Sequence, residues 1–276
     1  MRTDSLELTE AQRKKVQQLE LMILLEVDRL CKRHGLHYAL CDGTLLGAIR
    51  HNGFIPWDDD VDIWLPRKDF EAFRAICAKE LDSKFFYQTQ ATDPEYCFLF
   101  DKIRMNGTVF RELAQGKRAI HHGVYIDVFP VDNVPDDETK RKWQVFLIQL
   151  FRYGIQAKSV DLAFRSGWKL WNALMLRLLY AAFPNRVLYK AAQKMLKKYD
   201  GATTRRMSLL CGARHSKFYV FPREVYHEMV DHEFEGHTLS IPKDHDLVLR
   251  QVYGDYMELP PPEKRITRHP ILELSL

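Results

Sequence analysis

The chain has 276 residues, 46% hydrophobic, 28% charged and 12% aromatic, and its 41 lysines and arginines against 37 aspartates and glutamates leave a net charge of +4. That length and apolar content bury roughly 70–75% of the unfolded surface, which excludes a disordered or fibrous chain. The near balance of charges gives no basic footprint for nucleic acid, and five scattered cysteines without a CxxC pair exclude a zinc ribbon or disulfide framework and point to a reducing, cytoplasmic setting.

The first fifteen residues lack the basic and apolar stretches of a signal peptide, and no window approaches eighteen uninterrupted apolar residues, so neither export by that route nor a membrane span is expected. Thr9 and Gln12 have capping-box spacing. Val16, Leu19, Leu21, Ile23, Leu24, Val27 and Leu30 then recur at roughly helical intervals up to Gly35, which predicts a helix over 9–34. His37 to Cys41 reads as a short strand, Asp42-Gly43-Thr44 as a turn, and Leu45 to Arg50 as a short helix.

In Asp58-Asp59-Asp60-Val61-Asp62-Ile63-Trp64-Leu65, the apolar residues 61, 63 and 65 alternate with acids, which predicts a half-buried strand stopped by Pro66. A helix over 67–81 and strands over 84–90, 96–104 and 108–111 follow, the last two joined by Asn106-Gly107. Val124 to Pro130 is a further alternating strand. Helices are expected over 142–156, 168–183 and 187–199, strand-like runs over 218–241, a helix over 244–253 and an extended proline-rich stretch over 258–270.

Four aspartates in five positions repel one another unless protons or cations intervene. On a strand, Asp60 and Asp62 share a face with their Cα atoms about 6–7 Å apart, a spacing that suits a shared hard cation. Mg2+, or Mn2+ in its place, takes oxygen ligands and leaves room for phosphate oxygens. Asp58 heads the run as a further candidate ligand. Asp127, alone among Val124, Ile126, Val128 and Phe129, would be costly to bury unpaired and is the candidate from a second strand. Gly43 and Thr44 before a helix offer backbone N–H groups to an anion. Lys102 and Arg104, alternating on one strand, are candidate phosphate clamps, and Arg50 at the end of the short helix is a candidate donor contact. His121 and His122 are poor partners for Mg2+. Trp57, Trp64, Tyr253 and Tyr256 are candidates to surround a base or a quaternary ammonium group.

The run from Asp42 to His51, followed by Gly53 to Ile63, closely resembles the LicD family of phosphocholine transferases, which are related to the fukutin-type ribitol-phosphate transferases. Lys102-Ile103-Arg104, Tyr125 to Asp132 and Tyr253 to Met257 with Pro260-Pro261 look like that family's later motifs. The resemblance implies an α+β fold: a nucleotidyltransferase-like core with a mixed β-sheet flanked by helices, plus a helical insertion. Residues 1–135 would form the catalytic core, 136–212 a helical subdomain, and 213–276 a segment completing the core and active site. It further implies transfer of a phospho-alcohol, foremost phosphocholine, from a CDP-activated donor to a hydroxyl of a glycan or lipid-linked glycan, with Mg2+ held by Asp60, Asp62 and Asp127. Asp127 is then a shared ligand or the general base. A metal-dependent glycosyltransferase, donors carrying ribitol, glycerol or ethanolamine, and a non-catalytic binding module are the competing expectations.

The segment 137–200 interleaves Trp143, Phe146, Phe151, Trp168, Trp171 and Tyr180 with lysines and arginines. Such a pattern predicts either peripheral contact with the inner membrane face or an ordinary helical subdomain packed on the sheet.

Overall fold

The Gln12 amide donates to Thr9 Oγ1 at 3.2 Å while the Thr9 amide donates to Gln12 Oε1 at 3.0 Å, so a capping box satisfies two orphan N–H groups at the start of α1 (Glu10–His34). Gly35, at φ 63°, ends it in the left-handed conformation. The computed structural model describes residues 6–113, 118–159, 167–212, 218–267 and 269–276.

After β1 (Ala39–Leu40) comes α2 (Asp42–His51), then β2 (Asp62–Pro66), α3 (Arg67–Glu80), β3 (Phe85–Gln88), β4 (Asp101–Met105), β5 (Val109–Glu112) and β6 (Tyr125–Val134). The main sheet runs β1-β2-β6-β4-β3, with β2 and β6 parallel and the other pairs antiparallel. It is extended beside β6 by β7 (Arg206–Ser208) and β8 (Val220–Pro222). The fold is α+β, with a mixed sheet packed against α1, α2 and α3.

Three expectations are corrected. The strand in the acidic run covers only 62–66, with Val61 O accepting from Asp127 N–H just ahead of it, and it is not half-buried: every residue of β2 is buried, with α2 and α3 packed against it. Gly43 and Thr44 are not a turn ahead of a helix but part of the first turn of α2, which Cys41 precedes without a side-chain cap. Asn106-Gly107 does not close a hairpin between β4 and β5, since β5 pairs with β11 (Ile271–Ser275), a strand whose five residues carry no clear signal.

Helices α4 (Glu138–Ser159), α5 (Gly167–Leu179) and α6 (Asn185–Leu196) occupy the expected middle region, α6 starting after Pro184. α6 runs along α4, where Gln144 Nε2 donates to Met195 O at 2.9 Å, and α5 is tied to α4 through Arg177 Nε to Ala157 O at 2.9 Å. Arg67, the first residue of α3, fastens that helix to the sheet. It donates to both oxygens of the fully buried Asp132 at 2.7 and 2.8 Å and lies 3.2 Å from Glu71, which also meets Lys197 beyond the end of α6 at 2.5 Å. A hairpin of β9 (Met229–Phe234) and β10 (His237–Pro242) turns through Glu235 and Gly236, both at positive φ, before α7 (His245–Tyr253).

Candidate active site

The parallel pairing of β2 with β6 sets Asp62 beside Asp127, one strand spacing of about 4.8 Å away at the backbone. The register is locked on both sides. Asp127 N–H donates to Val61 O at 2.8 Å, and Asp62 N–H donates to Thr44 Oγ1 at 2.9 Å, so Thr44 holds the start of the strand rather than facing a ligand. Upstream, the loop carrying Asp58 is pinned by its own N–H to Ile55 O at 2.9 Å and by Gln17 Nε2 to Asp58 O at 3.0 Å.

These residues open into a cavity of about 300 Å³. Asp58, Asp60, Asp62 and Asp127 line it together with Asp42 and Gly43 at the start of α2. Trp57, Phe100, Phe129 and Tyr253 supply aromatic walls, and His269 enters from the far end of the chain. Gly43 is there for want of room: a Cβ would stand 2.5 Å from Asp58 Oδ2.

Burial, then the charge of Asp58, raises Asp60 well above the usual carboxylate range, with His269 opposing. Burial, then Asp60, does the same to Asp62. Burial also raises Asp127, against the pull of Lys102, whose Nζ lies 2.5 Å from Asp127 Oδ1. His269 moves the other way: burial pushes the imidazole down, but its hydrogen bond to Asp59 and the charges of Asp60, Asp59 and Glu112 hold it at about 10. Its Nδ1 is 3.2 Å from Asp59 Oδ1 and its Nε2 is 3.8 Å from Asp60 Oδ2.

The expected phosphate clamps are corrected. Arg104 is fully buried and donates to Gln88 Oε1 at 2.5 Å and Gly123 O at 2.8 Å, so its guanidinium belongs to the sheet. Lys102 is 2% exposed, with Nζ 3.3 Å from the centroid of the Tyr125 ring, and serves as the counter-charge of Asp127 instead of reaching the cavity. Both lie on β4, an inner strand between β3 and β6, where neither face is open. Arg50 donates to Tyr256 O at 2.9 Å and to His51 Nε2 at 3.1 Å and does not line the cavity. Of the aromatic candidates, Trp57 and Tyr253 line it, whereas Trp64 is buried against Tyr226 and Tyr256 donates to Asp246. The ring of His121 stacks on Phe86, outside the cavity.

His269, Asp59 and Glu20 join the site unexpectedly. Glu20 is 1% exposed, raised well above the carboxylate range by burial and then by Asp60, Asp59 and Asp58. One signal existed: Glu20 interrupts the apolar stripe between Val16 and Leu24 on α1. None pointed to His269, which lies in an irregular proline-rich stretch.

The donor set fits a hard divalent cation. Asp60, Asp62 and Asp127 present only carboxylate oxygens to one cavity, and buried Asp59 Oδ2 and Glu20 Oε2 have no hydrogen-bond partner, so oxygen ligands are in excess where burial and mutual repulsion disfavour their charge, a cost that a bound cation relieves. Asp59, Asp60 and His269 also bring one ligand atom each within 4.8 Å of one another, but the imidazole already serves Asp59 as a counter-charge.

Residues 35–153 match the family model described as the LicD/FKTN/FKRP nucleotidyltransferase domain. Lipopolysaccharide cholinephosphotransferase LicD of Haemophilus influenzae is 29% identical over 265 residues, covering 92% of this chain and 94% of that protein. Two shorter similarities are to uncharacterized proteins of Rickettsia typhi, 39% identical over 54 residues, and Rickettsia prowazekii, 40% identical over 47. These cover 20% and 17% of this chain and 18% of each relative.

Proposed function

We propose that this chain is a phosphotransferase of the LicD family, on the match of residues 35–153 and the 29% identity over 92% of the chain, and that it moves phosphocholine from CDP-choline onto a hydroxyl of a cell-surface glycan, such as a lipopolysaccharide, capsule or teichoic acid precursor. The observation that carries this reading is the pairing of Asp62 with Asp127 across parallel strands at the edge of a cavity that also receives Asp60 and the start of α2.

Asp60, Asp62 and Asp127 would hold Mg2+, or Mn2+, which when bound neutralises diphosphate charge and polarises the phosphorus. The uncapped N-terminus of α2, with Gly43 at the wall, favours the same anion. Trp57, Tyr253 and the surrounding acids suit a quaternary ammonium head, which aromatic faces and negative charge attract. Asp127, oriented by Lys102 at the edge of the cavity, is placed to take the acceptor proton. The acceptor oxygen then forms a bond to phosphorus as the bond to CMP breaks, CMP leaves, and the proton passes to Asp127.

Incubation with CDP-choline, CDP-ribitol, CDP-glycerol, CDP-ethanolamine and UDP-sugars, each with a glycan acceptor and Mg2+, tests the reading. CMP release with phosphocholine added to the glycan is expected. Turnover of a UDP-sugar alone would make the protein a glycosyltransferase, and Mg2+-dependent CDP binding without turnover would make it a binding module.

A further inference from the structure

Helix α5 buries Ala173 and Tyr180 lies buried just beyond its end, yet the opposite side is as apolar as the inner one. Trp168, Trp171, Met175 and Leu178 follow at intervals of three, four and three, one continuous helical stripe, and Leu174 and Leu179 flank it. The stripe is open to solvent: Trp168 and Leu178 are each 72% exposed and Trp171 is 70% exposed. Phe183, in the turn toward α6, is half exposed as well. A soluble helix normally turns charge outward, and a contiguous exposed apolar stripe marks a contact surface. Of the aromatic residues in this region, Tyr180 and half-buried Phe151 pack inward, while Trp143, Phe146, Trp168 and Trp171 are exposed.

Charge selects the occupant. Between Gly167 and Tyr199 there are seven lysines and arginines and no aspartate or glutamate. Arg186, Lys190, Lys194 and Lys198 are exposed and recur every fourth residue from the start of α6 onward. An apolar stripe with indole rings, followed along the chain by a helix of exposed cations, matches the boundary between acyl chains and anionic headgroups. Among the described residues no helix is long and apolar enough to cross a membrane, so such contact would lie on the surface. We propose that α5 and the turn into α6 seat this protein on an anionic lipid bilayer. The proposal does not depend on which group the active site transfers.

Co-sedimentation of the full chain with vesicles of mixed phosphatidylcholine and phosphatidylglycerol, against pure phosphatidylcholine, tests it. The protein should pellet with the anionic vesicles at low salt and be released as salt screens the charges. The triple variant Trp168→Ser/Trp171→Ser/Leu178→Ser, at exposed positions, should keep the wild-type melting temperature and CDP-choline turnover on a soluble acceptor while its partition falls about tenfold or more. The proposal is overturned if wild-type protein stays in the supernatant with anionic vesicles, or if the variant pellets equally well. It is also overturned if light scattering finds a dimer that the triple variant dissociates and neither form binds lipid, since the stripe would then be a contact between two copies.

Discussion

Replacing Asp60 or Asp62 by asparagine removes a candidate metal ligand and a buried like charge together, so activity and stability should move in opposite directions. Transfer should fall about a thousandfold or more, the several kcal/mol expected from loss of charge neutralisation at the diphosphate. In EDTA the melting temperature should rise, because each carboxylate is raised above its ordinary range by burial and by its acidic neighbours. A variant with wild-type turnover would remove that acid from the mechanism. His269 gives a pH signature. Its folded-state pKa, about 10, exceeds the ordinary 6.5, so the stability it contributes is fully present below 6.5 and is lost as pH rises through 10. Metal-free protein should therefore lose on the order of 2 kcal/mol between those values, discounted because the ring is 31% exposed. His269→Gln should melt lower than wild type at pH 6 and show a flatter decline from 7 to 10, as read by thermal melts in EDTA.

Two glycines of α2 separate packing from chemistry. At Gly47 a Cβ would meet Gly53 O at 2.5 Å and Ile55 N at 3.1 Å, backbone atoms that cannot yield. Gly47→Ala should cost about 2 kcal/mol or more, measured by urea unfolding. At Gly43 the obstacle is only the end of the Asp58 side chain, so Gly43→Ala should fold nearly as well and lose activity as Asp58 is pushed aside. At this scale α1 is legible in the sequence because its cap, stripe and terminal glycine agree. The start of β2 is not, because Asp60-Val61-Asp62-Ile63 has period two on both sides of it: Val61, one residue ahead of the strand, is already buried and accepts from Asp127 N–H. Lys102 and Arg104 illustrate the same limit, since alternation on a strand cannot tell an edge from an inner position. The acids at 58–62 were legible from charge density alone, whereas the partners of Asp59 and Asp127 depend on tertiary pairing.

Across the whole molecule, α3 is tied to the sheet by buried charge as well as by apolar packing. Arg67→Ala would leave Asp132, fully buried, without its guanidinium, and should destabilise the protein by about 3–5 kcal/mol, read as a lower denaturant midpoint. A melting curve equal to wild type would show that water replaces the pair. The reach of His269 to Asp59 has a different kind of consequence. The two are 210 residues apart, and the imidazole is carried in just ahead of β11, which pairs with β5. On a chain synthesised from its N-terminus, the acidic run and both parallel strands emerge long before the ring that neutralises them. Closing so long a loop is slow, and until it closes the crowded acids must hold protons or repel. The site should thus consolidate late in folding, with catalysis recovered after the core in a refolding experiment.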